Sequence, residues 1–198
     1  MAIIHRAQLT PSKTEILRDL LASRGWLEGE DLTVIGAYRF DDPAGQVGIE
    51  CHLVRTGETV YHLPLTYRSA PIDTAGDDGE VAEPVATMEH SVLGTRFVFD
   101  ALDDEVALDA FWRALCDEQQ QAELDVYEGD RLVEHRAQSV DLRLEIDAGA
   151  QAPRLGQLED DDGASFTIAQ SIGGLDGVVR LVADWGEGSG VIAAYDGD

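Results

Sequence analysis

Hydrophobic and polar positions alternate with period two over most of this chain, and the period lengthens toward 3.6 in only two places. The clearest alternation is Val140, Leu142, Leu144 and Ile146 against Asp141, Arg143 and Glu145, which predicts a half-buried strand whose leucines are buried. Similar runs predict strands over Ala2 to Gln8, Leu32 to Phe40, Val47 to Arg55 and Thr59 to Arg68. Val85 to Val92 and Thr95 to Phe99 read as two more, or as one strand continued past Gly94. Leu124 to Tyr127 turns through Glu128-Gly129-Asp130 into Arg131 to Gln138. Phe166 to Ile172, Val178 to Trp185 and Val191 to Tyr195 read as a closing meander separated by glycines.

The first helical stripe is Ile16, Leu17, Leu20 and Leu21, ended by Gly25 with Trp26 packed beneath. Its start is open between Thr10-Pro11 and a capping box of Ser12 with Glu15. The second stripe is Leu108, Phe111, Trp112, Leu115 and Cys116, with Asp103 as its cap. Punctuation by glycine, proline and aspartate marks turns at 41–45 and 56–58 and loops at 69–84 and 147–164. The pattern predicts an α+β fold: an antiparallel sheet, two helices on one of its faces, and a C-terminal β-extension. The expected division is a domain over 1–147, a loop or linker over 148–164, and a meander over 165–198 packed on the same domain.

Register matters for any site. A three-residue loop at Thr56-Gly57-Glu58 sets Leu53 opposite Tyr61, and that pairing is preferred because it keeps the faces unmixed. Pro64 cannot donate to a ladder, so an edge or a bulge is expected there. With this pairing one polar face gathers Glu50, His52, His62, Thr66, Arg68, Thr87 and Glu89. Histidine beside carboxylate is the raw material of a general base or a metal site, whereas a half-exposed sheet needs a polar side in any case. His90 falls on the opposite face, near Met88 and Val92, as a hydrogen-bonded core histidine.

Composition narrows the field. The 198 residues hold 39 acidic side chains against 14 basic ones, a formal charge of -25. Such a field repels nucleic-acid backbones and anionic membranes, so neither is an expected partner. Lys13 is the single lysine, and no glycine-rich loop precedes it, which excludes a P-loop or kinase nucleotide site. Cys51 and Cys116 lack metal-ligand spacing and fall on apolar faces as reduced thiols. Gly186 to Gly190 matches a phosphate loop in glycine content alone, and Glu159 to Gly163 lacks the spacing of a calcium loop. No nucleophile elbow and no zinc-protease motif is present. Neither a signal peptide nor a membrane-length apolar run is read, which predicts a soluble cytoplasmic protein.

Three segments together, GAYRFDDPAGQVGIE (36–50), LPLTYRSAPI (63–72) and EHSVLGTRFVFDAL (89–102), resemble the maltokinase N-terminal cap-like family of actinobacteria. Leu63-Pro64-Leu65 and Phe99-Asp100-Ala101-Leu102 are similar to the family's strand ending and to its segment before a helix. The similarity runs from about Met1 to about residue 118, with weaker support in the C-terminal strands. The resemblance implies a cystatin-like arrangement, a helix cradled by a curved antiparallel sheet, in the context of α-glucan, trehalose or maltose metabolism. It implies no catalytic residues; no cofactor and no metal are expected from the residues themselves. The expectation is a non-enzymatic cap-like or interaction module with a protein partner. The alternatives are a protein binding a saccharide or sugar phosphate, or an enzyme using His52 or His62 with Glu50 or Glu89.

Overall fold

The alternating runs become strands nearly where their periods place them. The computed structural model describes residues 3–5, 7–72, 82–128, 131–160 and 165–197. Parts of the predicted first strand and of the loops at 69–84, 128–130 and 159–163 lie outside those residues. Ile3–His5 (β1) and Leu9–Thr10 (β2) precede helix α1, Lys13–Ser23. Thr33–Phe40 (β3), Gly48–Thr56 (β4) and Thr59–Arg68 (β5) follow, then the hairpin Ala86–His90 (β6) and Gly94–Asp100 (β7). A 3₁₀ turn, Ala101–Asp103, leads into helix α2, Glu105–Leu115. Leu124–Glu128 (β8), Arg131–Arg136 (β9) and Val140–Ile146 (β10) come next, then a short helix, Gln157–Asp160 (α3). Phe166–Ile168 (β11), Val179–Trp185 (β12) and Gly188–Tyr195 (β13) complete the order.

The fold is α+β. Its principal sheet is antiparallel, strongly curled and ordered β2-β6-β7-β5-β4-β3. A four-stranded sheet has the order β10-β12-β13-β11, so β10 shares it with the C-terminal strands, and β11 lies beyond β13 rather than in a simple meander. β8 pairs with β1 in parallel and with β9 antiparallel in a third, smaller sheet.

Local chemistry sets the helix ends. Ser12 Oγ accepts the Glu15 N–H, and the Glu15 carboxylate accepts the Ser12 N–H at 2.8 Å, so the capping box starts α1. Gly25, at φ +69°, supplies the left-handed residue that ends it. α2 differs from expectation by one residue. Asp100 caps the 3₁₀ turn, which absorbs Asp103, and Asp104 becomes the cap of α2 by accepting the Val106 N–H. The buried face of α2 is Phe111, Trp112 and Leu115 with three alanines, Ala107, Ala110 and Ala114, while Leu108 stays half-buried.

The two helices lie on opposite faces, not on one. Ile16, Leu17, Leu20 and Leu21 of α1 pack on Val54, Leu63, Leu65, Met88 and Val98. α2 packs with Tyr38, Phe40, Ile49, Cys51 and Leu53, which alternation sends to the other side. That second core is completed by Leu181, Ala183, Ile192 and Tyr195 of the four-stranded sheet. Both faces of the central strands are therefore apolar, and each needs a cover.

The four-stranded sheet closes the open side of the curl. Beyond β11 the chain continues along β5, with the His62 N–H donating to Gln170 O at 3.0 Å and the Ile172 N–H to Val60 O at 2.7 Å. On the other side, Ser139 Oγ accepts the Ala37 N–H and donates to Ala37 O. Gly36 permits this approach, because a Cβ there would sit 2.5 Å from Val140 Cγ2. Pro64 faces the point where β5 changes neighbour, from the 170–172 segment to β7. It shares the parity of His62, whose N–H points away from β4, so the missing donor falls in that gap.

Candidate functional site

The β4–β5 register decides where the candidate residues go. Thr56 pairs with Thr59 across a two-residue turn, Gly57-Glu58, and Leu53 lies opposite His62 rather than Tyr61. This one-residue difference moves every β5 side chain to the other face. The expected single polar face is therefore not formed. Glu50 and His52 lie on the α1 side with Leu63 and Leu65, whereas His62, Thr66, Arg68, Thr87 and Glu89 share the other parity.

Those five do not gather either. His62 is fully buried: its Nδ1–H donates to Ala169 O and its Nε2 accepts the Tyr38 hydroxyl, both at 2.7 Å. Burial lowers its pKa to about 4, so it is a neutral core histidine. Thr66 Oγ1 and the Arg68 guanidinium converge on the Asp104 carboxylate at 2.6 to 2.7 Å. Burial pushes that carboxyl up, but the bonds from Arg68 and Thr66 outweigh it and hold it below the usual range. The cluster anchors the start of α2. Glu89 is exposed and accepts from Thr95 Oγ1. His90 is half-buried, with its Nδ1 accepting the Val92 and Leu93 N–H groups, so it is no core histidine.

Of the candidates, Glu50 lines a cleft. A cleft of about 380 Å³ lies between the start of α1, the 41–47 turn, and strands β2, β6 and β7. Its floor is made of cross-strand neighbours on one face: Arg39 opposite Glu50, Gly48 opposite Tyr67, and Met88 opposite Arg96. Lys13, in the first turn of α1, lies 5.6 Å from the Tyr67 ring centre and donates to Glu50 Oε2. Arg39 approaches the same oxygen at 3.2 Å. Burial raises the Glu50 carboxyl, but Lys13 and then Arg39 outweigh it and keep it ionised far below the usual range. Burial lowers the Lys13 pKa, and Glu50 offsets part of that. Asp42 on the turn accepts the N–H groups of Ala44, Gln46 and Val47 at 2.7 to 2.8 Å. His52 is buried on the same face as Glu50, and burial lowers its pKa to about 4. Among the described residues no group of three His, Cys, Asp or Glu side chains could hold a metal ion.

Sequence reasoning missed Lys13, Arg39, Gly48 and Tyr67 as a set. Arg39 and Gly48 could have been found from β3–β4 pairing, but Lys13 arrives only through the docking of α1.

Fold and cleft define an α+β domain with a curled antiparallel sheet and a polar cleft at one end of it. Residues 21–104, from Leu21 in α1 through β7 to the Asp104 cap, match the family model of the maltokinase N-terminal cap domain. The resemblance drawn from the sequence is thus supported over that segment. No curated protein matches the chain, and no solved structure does. Among the described residues no helix is long and apolar enough to cross a membrane.

Proposed function

We propose that the protein is a non-enzymatic, cap-like accessory module of maltose, trehalose or α-glucan metabolism that works through contact with a partner protein. The observation that carries this is the match of residues 21–104 to the maltokinase cap. The commitment of the ionisable groups to one another supports it. Glu50 is held by Lys13 and Arg39, Asp104 by Arg68 and Thr66, and His62 by Tyr38 and Ala169. A general acid or base must instead offer its proton site to a substrate near its working pH. A second reading, favoured by the cleft beside Glu50, is small-molecule binding.

The test is reconstitution. The purified protein is incubated alone with maltose and Mg-ATP, and then with each maltose- or trehalose-converting enzyme of its host. The expected results are no turnover alone and a raised Tm or changed kcat/KM for one of the enzymes. Turnover by the protein alone, or indifference of every enzyme, overturns the proposal.

A further inference from the structure

We infer that the cleft is a binding site for a small hydroxylated anion, a carboxylate or phosphate monoester of monosaccharide size. The inference rests on the cleft reading and not on the accessory role. Charge is the first argument. Three cations line the cleft, Lys13, Arg39 and Arg96, in a chain with 14 basic side chains against 39 acidic ones. Of the three lining carboxylates, Asp42 has both oxygens engaged by backbone N–H groups of its own turn, though it keeps its charge. Counted with Glu50 and Asp41, the carboxylates balance the three cations, so the cleft is locally neutral in a chain of net charge -25. Lys13 and Arg39 share a single carboxylate oxygen, so Glu50 orients both without matching both. Arg96 is half-buried and donates to the neutral Thr95 carbonyl. Cations held in place before the ligand arrives lose little freedom on binding it. The repulsion from the net charge of -25 fades over about 8 Å at physiological ionic strength, while partly buried cations are screened less.

Gly48 is the second argument and is independent of charge. It lies in a strand, where glycine weakens the backbone and packs nothing. Its φ is not in the left-handed region, and an added Cβ would meet Tyr67 atoms at 3.5 to 3.9 Å, ordinary contact distances. The fold therefore does not require glycine there. What the missing side chain leaves is open floor beside Tyr67, between Glu50 and Arg96. The volume, about 380 Å³, is in the range of small-molecule sites. The carboxylates on the cleft wall are acceptors for hydroxyls, and the cations are donors for the anionic group.

The test is NMR titration of the amide resonances with gluconate, glucose 6-phosphate and glucose at constant ionic strength. Both anions are expected to give saturable shifts at Gly48, Glu50 and Tyr67, with affinity roughly tenfold or more above that of glucose. Their relative affinities separate a carboxylate site from a phosphate site. Gly48→Leu should weaken both anions roughly tenfold or more while leaving distant resonances in place. Arg96→Gln, which removes one lining cation, should weaken the anions and spare glucose. Glucose binding as tightly as the anions would mean the site reads hydroxyls and not charge. Absence of saturable shifts with either anion would remove the site altogether. Anion binding unchanged in Gly48→Leu, or in Arg96→Gln should the glycine variant not fold, would place it elsewhere. Each of these three outcomes overturns the inference.

Discussion

Asp103 and Asp104 are chemically identical neighbours with unequal work. Asp104 has a side chain of 0% exposure, caps α2, and holds Arg68 and Thr66. Removing it leaves the guanidinium, the hydroxyl and an orphan N–H without their acceptor. Asp104→Ala should therefore cost about 3 kcal/mol, combining a lost cap with a broken, largely buried ion pair. Asp103 is exposed on the 3₁₀ turn, and Asp103→Ala should stay within about 0.5 kcal/mol. Urea denaturation of both variants checks this, and equal losses would return the cap to Asp103. His52 and His62 give a second residue-scale prediction. Both are buried, and burial lowers each to about 4, against about 6.5 in the unfolded chain. Between those values the unfolded state binds more protons, so stability falls as pH drops from about 6.5 toward 4. Most of this window lies above the ordinary carboxylate range, so the histidines act before the acids are neutralised. A Tm falling between pH 6.5 and 5, and falling less in His62→Gln, is expected. A Tm that is flat or rises over that interval would contradict it.

At the scale of elements, β10 separates what alternation can tell from what it cannot. It runs Val140–Ile146 as its period predicts, but its burial is graded, from Val140 fully buried, through half-buried Leu142 and Leu144, to Ile146 at 41% exposure. It is an edge strand, so only its start is enclosed by the second core. Leu144→Ala should then cost about 1–2 kcal/mol, less than a fully buried leucine, and Ile146→Ala about 0.5 kcal/mol or less. Equal losses in thermal or denaturant melts would show the strand buried along its whole length. Element type was legible here and elsewhere because period, capping box and glycine punctuation are local signals: of the two starts open to α1, the chain adopts the one at Ser12 with Glu15, and Gly25 marks the helix end. Register was not legible. β5 buries Leu63 and Leu65 on one side and His62 and Thr66 on the other, so hydrophobicity could not say which parity faces α1. The polar face failed for that reason. The cleft stayed hidden for another: its side chains come from α1, the 41–47 turn and all six strands of the principal sheet, and only the packing of α1 on the sheet brings Lys13 to Glu50.

For the whole molecule the governing quantity is charge. With 39 acids and 14 basic residues, most carboxylates have no cation to pair with. The pairing that exists is of two kinds. Glu50, Asp100 and Asp104 are largely buried beside Lys13, Arg24 and Arg68, where salt penetrates little. Arg143 and Arg180 instead serve several acids each at the surface, Arg143 meeting Glu145 and Asp184, and Arg180 meeting Glu145, Asp147 and Asp176. Such exposed pairs contribute little individually and are screened readily. Added salt therefore weakens a modest attraction at the surface, leaves the buried pairs nearly intact, and removes a repulsion shared among many unpaired carboxylates. The Tm should rise from low salt to about 0.5 M NaCl, where the Debye length is roughly 4 Å. The measurement is a thermal melt at fixed neutral pH across NaCl concentrations, since sulfate would also strengthen apolar burial. A Tm that falls would mean the surface arginine networks outweigh the repulsion, and a flat one that the acids are spaced beyond mutual reach. In either case Arg180→Gln, which releases three carboxylates at once, would then lower the Tm more at low salt than at high.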